Sequence, residues 1–209
     1  AAVLKSADDL WDEVLLLRKN GRLPDEVLVR LREEWGFRQV YESAAIEGNE
    51  LSLQETQMAI ERGFTLSLPG RSRRDVEEVV HLHEAIKYLE TLAQSDVAIT
   101  EFELREIHAL ILGKGDKDAG RYREHVVEIS NAPHKPPHPI HVPQKMTELA
   151  TWLRQTTGIS APLVAAVAHA WLAHIHPFGD GNGRTSRAMM NLILMRRGFP
   201  IVLIRKSDR

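Results

Sequence analysis

The chain has 209 residues, with 27 lysines and arginines against 29 aspartates and glutamates, a formal charge of −2 and no cysteine. This length buries a sizeable core and fits one domain, while the evenly spread, near-neutral charge argues against a general polyanion binder, so nucleic acid is not an expected partner. The lack of cysteine excludes disulfides, thiolate metal sites and a cysteine nucleophile.

Taken in chain order, apolar residues recur at helical spacing: Leu10, Val14 and Leu17, then Val27, Leu28 and Leu31, then Val76, Val79, Val80, Leu82 and Ile86. Breakers at "NGRLPD", "EGNELS", "GFTLSLPGRS", "GKGDKDAG" and "NAPHKPPHPIHVP" divide the chain into about eight helices, and strand-like alternation is scarce. The fold class is therefore all-α. At "SAAIEGN", residues 43–49, Ser43 and Glu47 are four apart and so share a helical face, and Gly48 can end the helix just after the acid. Alone, this reads as an ordinary helix end. Residues 126–142 hold the β-prone "HVVEIS" and then four prolines before "IHV", which predicts a small two-stranded flap. His134, His138 and His141 there are assigned to a polar loop. Trp11, Trp35 and Trp152 are assigned to packing, and Met189, Met190 and Met195 to core filling. The most apolar stretch, "APLVAAVAHAWLAHI", is too short to span a bilayer, no cationic-plus-apolar leader opens the chain, and a cytoplasmic protein without a membrane partner is expected.

Two helices flank "HPFGDGNGRTSR", residues 176–187. The first is expected to begin at Ser160 and to carry Leu163, Val164, Val167, Trp171 and Ile175; the second begins near Gly183 and ends at Gly198. A helix N-terminus carries about half a positive charge and unpaired N–H groups, so Arg184 and Arg187 in its first turns add to a potential that calls for an anion. Gly179, Gly181 and Gly183 let backbone N–H groups converge into a phosphate cradle, Asn182 can donate through its amide, and Asp180 suits Mg²⁺ bridging phosphate oxygens. His176, with an ordinary pKa of about 6.5, is placed to take a proton from a hydroxyl. A Walker loop fails by one residue and by Arg in place of Lys; an EF-hand fails at three positions. Zinc on His169, His174 and His176 fails because these do not share one helical face.

This stretch resembles the Fic motif HxFx(D/E)GNGRxxR at every specified position, and "AGRYREHVV" with "PPHP" resembles the segment leading into and forming the Fic flap, so the likeness covers about residues 40–205. The resemblance implies an all-α, Fic-type helical bundle with a β-hairpin flap that transfers AMP from ATP to a Ser, Thr or Tyr hydroxyl of a target protein, releasing pyrophosphate. It implies His176 as general base, Asp180 as Mg²⁺ ligand, Gly181, Asn182 and Gly183 as the α-phosphate cradle, and Arg184 and Arg187 on the outer phosphates. The intact "GNGR" favours nucleotidyl transfer over the Doc-like kinase branch. "SAAIEGN" resembles the Fic inhibitory motif [ST]xxxE[GN], which implies that Ser43, Glu47 and Gly48 form an inhibitory helix end whose Glu47 pairs with Arg187. Breaking such a desolvated pair costs about 3–5 kcal/mol.

The expectations that follow are one Fic domain over 1–209, an N-terminal helical region of about 1–60 bearing the inhibitory motif, and a truncation at the C-terminus, where relatives continue into a further helix. ATP is the expected substrate, Mg²⁺ its companion, and a protein docked at the flap, about 126–142, the acceptor; a homodimer is compatible with the reading. Two other outcomes stay open: AMP removal, alone or beside addition, in which Glu47 assists, and a noncatalytic nucleotide- or protein-binding module.

Overall fold

The computed structural model describes residues 2–22, 24–129 and 133–208. Among them are eight α-helices: α1 (Ala2–Lys19), α2 (Asp25–Ile46), α3 (Leu53–Arg62), α4 (Arg73–Ala93), α5 (Glu101–Leu112), α6 (Val142–Arg154), α7 (Ala161–Ile175) and α8 (Asn182–Arg196). Local chemistry marks the starts. Ser52 and Glu55 form a capping box on α3, as do Thr100 and Glu103 on α5, each satisfying two N–H groups that a helix cannot pair internally. α7 coincides with the apolar stretch "APLVAAVAHAWLAHI", and Pro162 sits in its first turn, where a missing N–H costs nothing.

α8 is the centre of the bundle. All of its residues from Arg184 to Leu194 are buried, with α7, α4 and α5 packed around it. Met189 and Leu192 of α8, Leu172 and Ile175 of α7, Leu89 of α4 and Leu104 and Ile107 of α5 are at most 1% exposed. Polar groups on so buried a helix must find partners, and they do: Thr185 Oγ1 donates to the Gly181 carbonyl at 2.8 Å and Ser186 Oγ to the Asn182 carbonyl at 2.7 Å.

The predicted core face of α4 is present in full, since Val76, Val79, Val80, Leu82 and Ile86 are all buried. Met189 and Met190 lie in the core and Met195 at its edge, and Trp152 packs on Trp171 with ring centres 5.7 Å apart. The N-terminal face departs from expectation. Leu10 is 60% and Val27 43% exposed, and Trp35 lies more than a third open; the side chains of Trp11, Leu28 and Leu31 lie outside the described residues. Helical periodicity fixes the helix, but burial requires an opposing surface.

The expected hairpin is corrected too. No strand occurs among the described residues of 126–142, and residues 130–132 lie outside them. Pro133, Pro136, Pro137 and Pro139 have no N–H to give a ladder, and the segment instead runs as irregular chain into a short 3₁₀ turn at Pro139–His141.

Candidate active site

α7 ends at Ile175 and α8 starts at Asn182, so the six residues between them are a tight loop hung between the half-buried α7, whose Leu163 and Val167 face outward against expectation, and the buried α8. His176 caps α7 in the left-handed region, φ 50°, alone in this among the described non-glycine residues. Its own N–H donates to the Leu172 carbonyl at 2.9 Å. The Nδ1 atom lies 3.3 Å from the Ala173 carbonyl, which can only accept, so Nδ1 carries the proton and Nε2 of the neutral ring keeps its lone pair. Burial lowers the His176 pKa, opposed by the Ala173 hydrogen bond, lowered further by Arg123 and raised by Glu47. A half-buried histidine with a lone pair on Nε2 can take up a proton there.

The next turn is locked from within. Asn182 accepts the Phe178 N–H on Oδ1 and donates Nδ2 to the Phe178 carbonyl, both at 2.9 Å. Its amide, expected to face a ligand, is thus turned into the loop, one Nδ2 hydrogen and Oδ1 both engaged with the Phe178 backbone. Phe178 is fully buried and stacks on His108 with ring centres 3.6 Å apart and planes 3° from parallel. His108 in turn lies 3.0 Å from the Asp180 carbonyl through Nε2 and accepts the Gly120 N–H on Nδ1. Gly181, at φ 75°, is the N-cap residue of α8, and a side chain there would press on His108 and Leu112 at 3.4 Å.

Helix geometry leaves the N–H groups of Asn182, Gly183 and Arg184 without an intrahelical partner, aimed out of the bundle along the helix axis. The anion that this end of α8 attracts is already there. Arg187 donates Nη2 to Glu47 Oε1 at 2.7 Å, Nε to Ser43 Oγ at 2.9 Å and Nη2 to the Ser43 carbonyl at 2.9 Å. The carboxylate of Glu47 sits directly over Gly183, where an added Cβ would collide with Oε1. Gly48, at φ 99°, turns the chain away just after the acid. The structure therefore brings Ser43, Glu47 and Arg187 together, although 140 or more positions separate the arginine from the other two.

Arg184 is held differently. Its Nη1 pairs with Glu78 of α4 at 2.6 Å and its Nη2 with Asp180 Oδ1 at 3.1 Å, and its side chain is 7% exposed. Asp180 Oδ1 also accepts the Gly181 N–H at 2.6 Å, while Oδ2 is 3.7 Å from Arg74. The Asp180 side chain is 60% exposed, so one carboxylate edge faces outward.

Sequence reasoning did not single out four residues of this site. Glu78 and His108 lie in unremarkable helical text, and only the fold brings them to the loop. Asn49, which donates to Glu78 Oε2 at 2.9 Å and so joins the Glu47 turn to the Arg184 pair, had a signal in its place two residues after Glu47. Arg123 had one too, inside "AGRYREHVV".

The sequence pattern of the Fic/DOC family matches residues 98–194. The relative named Protein adenylyltransferase Fic from Nematostella vectensis is 42% identical over 90% of this chain and 44% of its own, and Protein adenylyltransferase fic-1 from Caenorhabditis elegans is 35% identical over 99% and 40%. The chain thus spans less than half the length of these curated relatives. A Fic domain containing signaling protein from Bacteroides thetaiotaomicron has the same fold at a TM-score of 0.84, with 27% identity over 98% of this chain and 77% of that one. For Fic-1 from Caenorhabditis elegans the TM-score is 0.79, at 35% identity over 98% of this chain and 59% of that one.

Proposed function

The chain belongs to the Fic/DOC family, and on that premise we propose that it transfers AMP from ATP to a Ser, Thr or Tyr hydroxyl of a target protein and is held in check by its own Glu47. The observation that carries this reading is the Glu47 carboxylate on Arg187, above Gly183 at the start of α8. An acid resting there supports a cationic cradle built for an anion and, at the same time, a means of keeping that anion out.

In this reading His176 Nε2 takes the proton of the target hydroxyl. The hydroxyl oxygen bonds to the α-phosphorus of ATP, the bond from that phosphorus to the bridging oxygen breaks, and pyrophosphate leaves with its electron pair. Backbone N–H groups of Asn182 and Gly183 cradle the α-phosphate, joined by that of Gly181 once it leaves Asp180 Oδ1, and Arg184 and Arg187 hold the outer phosphates. Asp180 fits a Mg²⁺ ligand: its outward carboxylate edge is one hard oxygen donor, and Mg²⁺ is commonly held by one or two carboxylates plus phosphate oxygens. Bound there, the ion would neutralise phosphate charge. Among the described residues no three His, Cys, Asp or Glu side chains gather as a cage, in keeping with an ion that arrives with the nucleotide.

Residues 126–142 are the proposed docking segment, where an extended stretch of target would pair with open backbone and present its hydroxyl. The whole of 1–209 acts in this reading as one Fic unit in the cytoplasm, with the region of about 1–60 regulatory.

The test is incubation with ATP labelled at the α-phosphate in the presence of cell lysate. Label on protein that is low in the wild type, rises in Glu47→Gly and vanishes in Glu47→Gly/His176→Ala supports the transferase. Nucleotide binding without transfer in every background makes the chain a binding module instead, and loss of AMP from a modified protein without its addition makes it a hydrolase of that bond.

A further inference from the structure

Arg123 lies in the irregular chain after α5 and is 5% exposed. Its N–H donates to the Pro177 carbonyl at 2.9 Å, Nε to the His176 carbonyl at 2.7 Å, Nη1 to the His125 carbonyl at 2.9 Å and Nη2 to the Pro137 carbonyl at 2.6 Å. One residue thus grips the two peptide carbonyls that follow the α7 helix, the carbonyl just before the docking segment and one within that segment's last third. These side-chain partners are backbone oxygens rather than a carboxylate, so the guanidinium works here as a three-pronged spacer between main-chain segments. Only the planar fork of arginine spans three such acceptors at once; a lysine ammonium is a point donor on a flexible stem.

Two further facts say what the grip is for. His176 is in the left-handed region, a conformation that persists in a residue with a Cβ only when its surroundings over-determine it, and Arg123 binds the carbonyl of that very residue. Pro137 lies two residues before the short turn that leads into α6, so the same guanidinium fixes where the docking segment re-enters the bundle.

We propose that Arg123 is a positioning residue that holds the His176 ring in register with the segment receiving the target hydroxyl, so that base and acceptor are set by one side chain. The proposal rests on the transferase reading for its consequence, though not for its geometry. Arg123 acts through the His176 and Pro137 backbone and touches no reacting atom.

The test uses the full chain with Arg123→Gln and Arg123→Lys, each with and without Glu47→Gly. In the Glu47→Gly background Arg123→Gln is expected to lower kcat by about 100-fold, the scale of an ångström-sized misplacement of a catalytic group, with the KM for ATP within about twofold because the α8 cradle is untouched. Arg123→Lys is expected to recover part of kcat. In the Glu47-containing protein, ¹⁵N spectra of the His176 ring and amide exchange at residues 125–129 and at His134 and Lys135 read the same geometry without catalysis: Arg123→Gln should mix the Nδ1–H and Nε2–H ring signals and speed exchange. If Glu47→Gly with Arg123 intact transfers no AMP, the transferase reading fails alone, and the ring and exchange spectra still decide the role of Arg123. Ring signals and exchange unchanged in a folded Arg123→Gln protein overturn the proposal, as does a rise in the KM for ATP that matches the fall in kcat.

Discussion

Arg187 Nη2 and Glu47 Oε1 meet at 2.7 Å across 140 positions of sequence, with the arginine side chain 10% and the glutamate 31% exposed. The arginine is thus nearly withdrawn from water but the glutamate keeps about a third of its surface in it, so the 3–5 kcal/mol of a fully desolvated pair is too large; about 1–3 kcal/mol fits this exposure. Removing the acid is expected to raise transfer by about 10- to 100-fold, read as label incorporated by Glu47→Gly against wild type under identical ATP. Ser43→Ala should do less, about threefold or under, because the Ser43 carbonyl that Arg187 also uses is kept. Equal rates in wild type and Glu47→Gly would remove the basis for inhibition by this contact.

A methyl group on Gly183 cannot coexist with the Glu47 carboxylate, since its Cβ would collide with Oε1 and lie 3.1 Å from Arg187 Nη1. Yet alanine suits a helix better than glycine by about 1 kcal/mol. The two changes are therefore expected to be non-additive. Gly183→Ala should destabilise the wild type but stabilise Glu47→Gly, giving a coupling of about 1–2 kcal/mol in a urea-unfolding double-mutant cycle. Additivity within about 0.3 kcal/mol would mean that Glu47 does not rest on Gly183 in solution.

These two residues also mark what was legible in the sequence. The anion-seeking end of α8 could be read because glycines and two arginines at a helix start are chemically odd in themselves, and the α4 core face could be read because valines and leucines at helical spacing are a local pattern. The pairing of Glu47 with Arg187 came from a resemblance to known motifs, since no local rule joins residues 140 positions apart, and the two bonds of Ser43 to the same arginine are seen in the fold alone. Glu78 and His108 were invisible because a glutamate or histidine inside an amphipathic helix has no local mark of what it will meet. The 126–142 flap misled for the opposite reason: β-branched residues gave a strand signal, and the prolines beside them withheld the donors a ladder needs.

The Glu78–Arg184 pair is more withdrawn than the Glu47 pair, at 15% and 7% side-chain exposure. Taking away its acid leaves a buried guanidinium with Asp180 as its remaining carboxylate, and it also drops the Asn49 bond to Glu78. Glu78→Gln is expected to cost about 2–3 kcal/mol in urea unfolding, below the worst case for an uncompensated buried charge because Asp180 stays. A change under about 0.5 kcal/mol would show the pair to be mechanically idle.

His176 must be unprotonated at Nε2 to act as base, so its pKa sets the acid limb of kcat. Burial lowers that pKa from the ordinary 6.5, Arg123 lowers it further, and Glu47 raises it. The neutral form therefore dominates to lower pH than in a free histidine. The acid limb of transfer is expected below pH 6.5, and Glu47→Gly, by deleting the one nearby negative charge that raises the value, should move it lower still. A limb above 6.5 in the Glu47→Gly enzyme would mean that another group limits the acid side.

His108 supplies a pH dependence of stability that is separate from the chemistry. Its ring is fully buried; Nδ1 accepts the Gly120 N–H, so the neutral ring carries its proton on Nε2 and donates it to the Asp180 carbonyl. Protonation would set a ring N–H against the Gly120 N–H, and burial, the leading cause, lowers the pKa from 6.5 to about 4. Between those values the unfolded chain takes up a proton that the folded chain refuses. The contribution is present in full above pH 6.5 and is lost as pH falls towards 4, on the order of 3 kcal/mol for the whole window. His83, also lowered to about 4 by burial, adds to the same window. Unfolding free energies measured in urea from pH 7.5 to 4.5 should therefore fall in this range, and His108→Gln, which cannot titrate, should be less stable at pH 7.5 yet fall less steeply. If the variant keeps the full wild-type slope, the proton is being refused elsewhere, and the His108 ring does not hold Asp180 in the way its two hydrogen bonds imply.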